Sequence, residues 1–182
     1  MPDEKRPSDA MLAAFATIRT IRGLKPFPSW PYKEALSKDE LIKAPHLAWK
    51  AFISIVGEAL YDELSPVQQV AHLAYWYDAE IYNGGHLQYF RSGMVEYIPL
   101  TILALPLLDA EAQAAVLKEA SDRARSRPEL VDPNRSHSEL ARARPFDDID
   151  RAYALCKPTL DKLLHRYLDE HLGDFILFKD DA

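Results

Sequence analysis

Within twelve residues, Ala79 to Phe90, the chain sets a glutamate, a histidine and a glutamine around a pair of glycines: AEIYNGGHLQYF. Glu80 could serve as a general base or as a buried acceptor. It follows Trp76 and Tyr77 at helical spacing, and a carboxylate among aromatic rings must find donors or take up a proton. The amides of the Asn83-Gly84-Gly85 turn and the side chain of Gln88 are the donors within reach. The direct reading of Glu80 is a structural acid that fixes the corner. Asn83-Gly84-Gly85 itself reads as a helix–helix corner, because glycine ends helices by taking backbone angles that side chains disfavour. The functional counterpart is an anion held by the amides that follow Gly84. The alternative reading is a small-molecule-binding protein or enzyme with a pocket around Glu80, His86 and Gln88, with Tyr89 and Phe90 beside them.

Other chemistries are harder to build. His72 and Glu80 lie about 12 Å apart along a helix at ~1.5 Å per residue, too far to share an ion whose ligands stand ~2 Å from it. His86 and Glu80 have no evident third ligand, and His165 and His171 face different sides of their helix. No metal, cofactor or catalytic residue is assigned. No nucleophile elbow occurs, and the single cysteine, Cys156, reads as a small core residue.

The elements that must position these residues are helical. The 182 residues, 48% hydrophobic and 27% charged, suit one globular domain. One helix is expected from Ser8 or Asp9 to Arg22, then a proline-rich linker over 24–36. A second runs from Pro45 to Leu64 with Leu47, Trp49, Phe52, Ile53, Val56 and Leu60 on its buried side. Ser65-Pro66 starts a third, which carries Val70, Leu73, Ala74, Tyr77 and Ile81 inward to about Tyr82. A short helix to Gly93 follows the corner, then an apolar one over Ile98–Leu105 and another capped by Asp109. Residues 126–145 read as a surface loop, and helices over 147–155 and 158–172 close the chain. The expected fold is all-α, a single compact domain of six to eight helices. Residues 1–48 form an N-terminal extension of helix and linker, and 49–182 form the domain proper.

Net charge is −6 and uneven: residues 51–117 hold eight acids against Arg91 alone. Direct nucleic-acid binding needs the opposite, a clustered basic face, so a basic partner fits better. No run is long enough to span a membrane, and one cysteine suits a reducing cytoplasm.

The stretch LSPVQQVAHLAYWYDAEIYNGGHLQYF resembles the signature of a bacterial domain family typified by the double-stranded-DNA-mimic protein. Glu80, Asn83, Gly84, Gly85, Gln88, Tyr89 and Phe90 fall on its pattern, and His86 stands where an aromatic is usual. FDDIDRAYALCKPTLDKLLHRYLDEHLGDF resembles the family's closing helices, so the likeness spans roughly residues 50–178. It implies an all-α fold, no known catalysis and, for the typifying member, a dimer whose acidic surface imitates DNA phosphates. Such a mimic occupies DNA-binding proteins, a transcription factor among them. The acids that could build the face are Glu58, Asp62 and Glu63, Asp78, and Asp147, Asp148 and Asp150. The last three have a plainer role as acids at a helix N-terminus.

Overall fold

The computed structural model describes residues 32–179, which are mostly helical, with one short pair of strands. Nine α-helices occur among the described residues. The chain divides into two compact units, residues 32–69 with 168–179, and residues 70–167. The helix expected over 8–22 and most of the linker lie outside the described residues, and the boundary expected at 48/49 falls inside the first unit.

The first unit opens with β1 (Glu34–Leu36), which pairs in parallel with β2 (Ile176–Phe178), Glu34 opposite Ile176 and Leu36 opposite Phe178. Neither strand was legible in the sequence, since three residues carry no period. Ser37 and Glu40 form a reciprocal capping box that starts α1 (Lys38–Lys43). Next, α2 (His46–Glu58) turns Ala51, Phe52, Ile55 and Val56 inward. Phe52 packs between Trp49 and Phe175, with ring centroids 4.9 Å away in each case. Leu36, Ala51 and Ile176 form a small core closed by Leu41, Leu47, Leu172 and Phe178.

The expected continuation of α2 to Leu64 fails. Ala59 and Leu60 are extended, and a 3₁₀ turn over Tyr61–Glu63 follows. The break exposes Leu60, which a continuing helix would have buried, and puts Tyr61 and Leu64 into the core instead.

Ser65 then starts α3 (Pro66–Arg91). Its hydroxyl accepts from the Gln68 amide at 3.3 Å, and the Gln68 side-chain oxygen accepts from the Ser65 amide at 3.0 Å. The same buried glutamine donates from Nε2 to the carbonyls of Tyr32 and Asp174, at 2.5 and 2.9 Å. One side chain thereby caps a helix and ties both chain segments of the first unit to it.

In the second unit, α4 (Ile98–Ala104) packs against α5 (Glu111–Ser126), which also meets α7 (Asp147–Leu155). Asp109 does not cap α5 as expected. It sits in left-handed backbone (φ 55°), Ala110 takes the cap position, and its carboxylate pairs with Arg166 at 2.8 Å. The expected loop over 126–145 holds a 3₁₀ turn (Pro128–Leu130) and α6 (His137–Arg142), started by a Ser136/Glu139 capping box. The chain closes with α8 (Leu160–Glu170) and α9 (Leu172–Phe175). Cys156 ends α7 half-buried, outside the core expected for it. No described helix is long and apolar enough to cross a membrane.

Replacing Gln68 tests the first unit. Gln68→Ala leaves two carbonyls without their donor and should cost about 1–3 kcal/mol in urea unfolding. Gln68→Glu keeps the cap acceptor but loses the amide donors, and should be no better. Two variants within about 0.5 kcal/mol of wild type would remove Gln68 from this role.

Candidate functional site

The inward positions expected for α3, Val70, Leu73, Ala74, Tyr77 and Ile81, are all buried. The helix then breaks at Gly84 (φ −171°, ψ 22°) and Gly85 (φ 71°, ψ −168°). Gly84 is extended in φ, which any residue can adopt. Gly85 lies in a region that glycine alone occupies readily. Close approach adds to both requirements: a Cβ on Gly84 would stand 2.9 Å from Gln88 Cβ, and one on Gly85 would stand 2.8 Å from the Asp150 carboxyl carbon.

Asp150, from the first turn of α7, is the carboxylate that organises this corner. Its Oδ1 accepts the His86 backbone N–H at 2.9 Å and lies 2.6 Å from His86 Nδ1. A carboxylate there holds the ring proton on Nδ1, so in the neutral ring Nε2 accepts from the Tyr77 hydroxyl at 3.0 Å. The anion that the amide after the glycines was read as able to bind is therefore supplied by the chain itself.

Aromatic rings close over this chain of hydrogen bonds. Tyr77 meets His86, Tyr89 and Tyr153 edge-on at 5.9, 5.0 and 5.3 Å, and Phe90 and Phe146 pack together at 5.2 Å. Thr101 donates to the Tyr97 carbonyl, so the Tyr89 hydroxyl must donate to Thr101 Oγ1 at 3.0 Å. Tyr153 donates to Asp78 at 2.5 Å.

Carboxylate, imidazole and hydroxyl in series have the form of a nucleophile relay, but its substance is missing. His86 and Tyr77 are each 0% exposed, so no substrate reaches either. Burial also pushes the Tyr77 hydroxyl well above its ordinary range, and likewise those of Tyr89 and Tyr153. The arrangement holds two arms of one helix and α7 in register.

Glu80 does not take the part expected of it. The corner amide of His86 goes to Asp150, while Glu80 is 9% exposed and its Oε2 has no hydrogen-bond partner. Asn83 and Gly84 are exposed and Gln88 is half-buried. A cleft of about 290 Å³ does open in the protein, but its lining includes none of Glu80, His86 and Gln88. Among the described residues no three of His, Cys, Asp and Glu are grouped to hold a metal ion.

The acids read as a face divide by what they touch. In the first unit Glu58 is exposed, Asp62 is half-exposed, and Glu63 accepts from the Tyr32 hydroxyl at 3.0 Å. In the second, burial raises the Asp78 carboxyl. Asp147 pairs with Arg144 at 3.2 Å, and Asp148 takes both prongs of the Arg123 fork at 2.6 and 2.7 Å. With Asp150 on His86, all three late acids are engaged within the unit. The hydrogen bonds from Arg123 hold the Asp148 carboxyl at about 2. That value lies below the ordinary range, so the pair's contribution is present above about pH 4 and lost as pH falls towards 2. Solvent screening keeps it small.

Three outcomes follow from this geometry. Gly85→Ala should cost about 2 kcal/mol or more, through its backbone angles and the clash with Asp150. Combined with Asp150→Ala, the loss should fall short of the sum of the singles, because the clash is gone; an additive double mutant would show that the two residues do not meet. Asp78→Asn keeps an acceptor for Tyr153 and removes a charge whose desolvation raises its folded pKa, a penalty that builds as pH rises from the ordinary carboxylate range to that raised value and is full above it. At pH 7 it should match or exceed wild-type stability, while Asp78→Ala should lose about 1–3 kcal/mol. Equal losses in the two variants would sink this account of Asp78.

No curated protein matches the chain, and no solved structure does. One family model does match, that of the DMP19-like protein, over residues 62–171, a span that takes in α3, the broken corner at Gly85 and Asp150. The chain belongs to the DMP19-like protein family.

Proposed function

We propose that this protein is a non-catalytic binding module that occupies a basic DNA-binding protein by presenting carboxylates in place of DNA phosphates. The observation that carries the reading is the behaviour of charge in residues 51–117. Arg91, the lone base of that block, donates to the backbone carbonyls of Asp132 and Arg135 rather than to an acid. Glu63 and Asp78 take hydrogen bonds from phenols, which satisfy an oxygen without cancelling a charge. Asp109 does pair with a base, Arg166 of α8. Negative charge is thus retained on helical segments, which is what a basic groove recognises.

Membership of the DMP19-like family supports the same reading. So does the closed corner, which turns His86 and Tyr77 inward. Of the acids first considered, Asp147, Asp148 and Asp150 are engaged internally. Glu58 and Glu63 are the better candidates for contact with a partner.

The test uses the immobilised full chain and lysate of its source. A captured basic DNA-binding protein should be displaced by duplex DNA and should lose affinity about tenfold or more between 50 and 300 mM salt, as screening shortens the reach of exposed charges. Retention at high salt, or indifference to duplex DNA, overturns the proposal.

A further inference from the structure

The cleft of about 290 Å³ lies wholly in the first unit, at the C-terminal end of α2. Its size falls at the low end of the ~300–1,000 Å³ usual for small-molecule sites, enough for one long side chain and little more. Ile55, Ala59 and Leu60 supply its apolar part, and Leu60 is 69% exposed, a large aliphatic surface for a lone leucine. Glu34, Glu58 and Glu63 supply carboxylates around it. The ammonium of Lys33, the sole base in the lining among the described residues, is held by the Gly173 carbonyl at 2.6 Å.

The helix end sharpens the chemistry. A helix C-terminus carries partial negative charge and favours Lys, Arg or His in its last turn. In α2 that turn has no basic residue and closes instead on an acid, Glu58. Carboxylate and helix pole repel, a local violation that an incoming cation would relieve. Glu63 is meanwhile steadied by the Tyr32 hydroxyl at 3.0 Å, a neutral donor that leaves its charge intact.

We propose that this cleft receives one lysine or arginine side chain of a basic partner protein. Its aliphatic stem would lie on Ile55, Ala59 and Leu60, and its cationic head would meet Glu58, Glu34 and Glu63. The inference rests on the reading that the partner is basic, and adds the place where it anchors.

The experiment is an NMR titration of the full chain with a capped Gly-Lys-Gly tripeptide, beside its norleucine isostere and spermidine. The lysine peptide should give saturable one-to-one shifts centred on Glu58, Ala59 and Leu60, and the norleucine peptide should give none. Glu58→Gln and Leu60→Ser should each weaken binding about three- to tenfold, while Glu129→Gln, an exposed acid of the second unit, should leave it unchanged. Shifts scattered over acids of both units, or equal weakening by Glu129→Gln, overturn the site. Equal binding of norleucine overturns its cationic character, and tighter binding of spermidine overturns the assignment to a protein side chain. If the cleft variants still take a partner that duplex DNA displaces, the cleft falls and the proposed function stands. If the tripeptide seats as described but no captured partner yields to DNA, the reverse holds.

Discussion

The carboxylate of Asp150 occupies the space that a side chain on Gly85 would need, and one of its oxygens takes both the amide and the ring proton of the next residue. Much of the second unit depends on that contact. It ends the first arm of α3, sets the angle at which the second arm leaves, and brings α7 against the break. It also decides the state of His86. With Nδ1 committed to a carboxylate, Nε2 faces Tyr77 as an acceptor, and the phenol whose ring lies among those of His86, Tyr89 and Tyr153 is fixed in turn. A glycine pair is usually read as freedom. Here it is an absence of side chain that lets a charge from a distant helix come within hydrogen-bonding distance of the backbone.

The two kinds of acid in this chain behave differently for a reason that burial explains. Carboxylates brought against helix ends, amides or arginine forks are consumed by the fold: Asp150 on His86, Asp148 on Arg123, Asp109 on Arg166. Glu63 instead takes its hydrogen bond from the neutral phenol of Tyr32, and Glu58 stands exposed at the end of α2. Counting acids does not distinguish the classes, whereas naming the donor opposite each one does.

How much of this was legible depended on the distance over which a cause acts. The inward stripe of α3, the Ser65-Pro66 start and the glycine break follow from spacing and local backbone chemistry, and residues 70–85 alone carry most of the signal. The end of α2 was misread because Leu60 continued a helical stripe that the backbone abandons at Ala59. Asp109 looked like a cap because an acid before a helix usually is one, yet Arg166 claims its carboxylate. The Ser136/Glu139 box has the sequence form of a helix start, but polar neighbours on both sides give it no apolar stripe to mark a helix. Asp150 was set with a surface face, since nothing within ten residues of it announces a partner 64 positions earlier. Aromatic neighbours and nearness in sequence point to Glu80 for the task that Asp150 performs.

The short parallel pair of β1 and β2 has a consequence for how the chain acquires its structure. Glu34 lies opposite Ile176, so the first unit is discontinuous and encloses the whole of the second between its halves. Joining strands so far apart requires closure of a long loop before any pairing energy is gained. Residues 70–167 form an uninterrupted stretch that can condense as it leaves the ribosome. The first unit must wait until residues 168–178 have been synthesised, with Phe52 and Leu36 uncovered in the meantime. Folding of the second unit shortens the effective loop, since it draws in the chain on either side. Residues 168–178, made after the second unit, therefore complete a core whose other half was made before it.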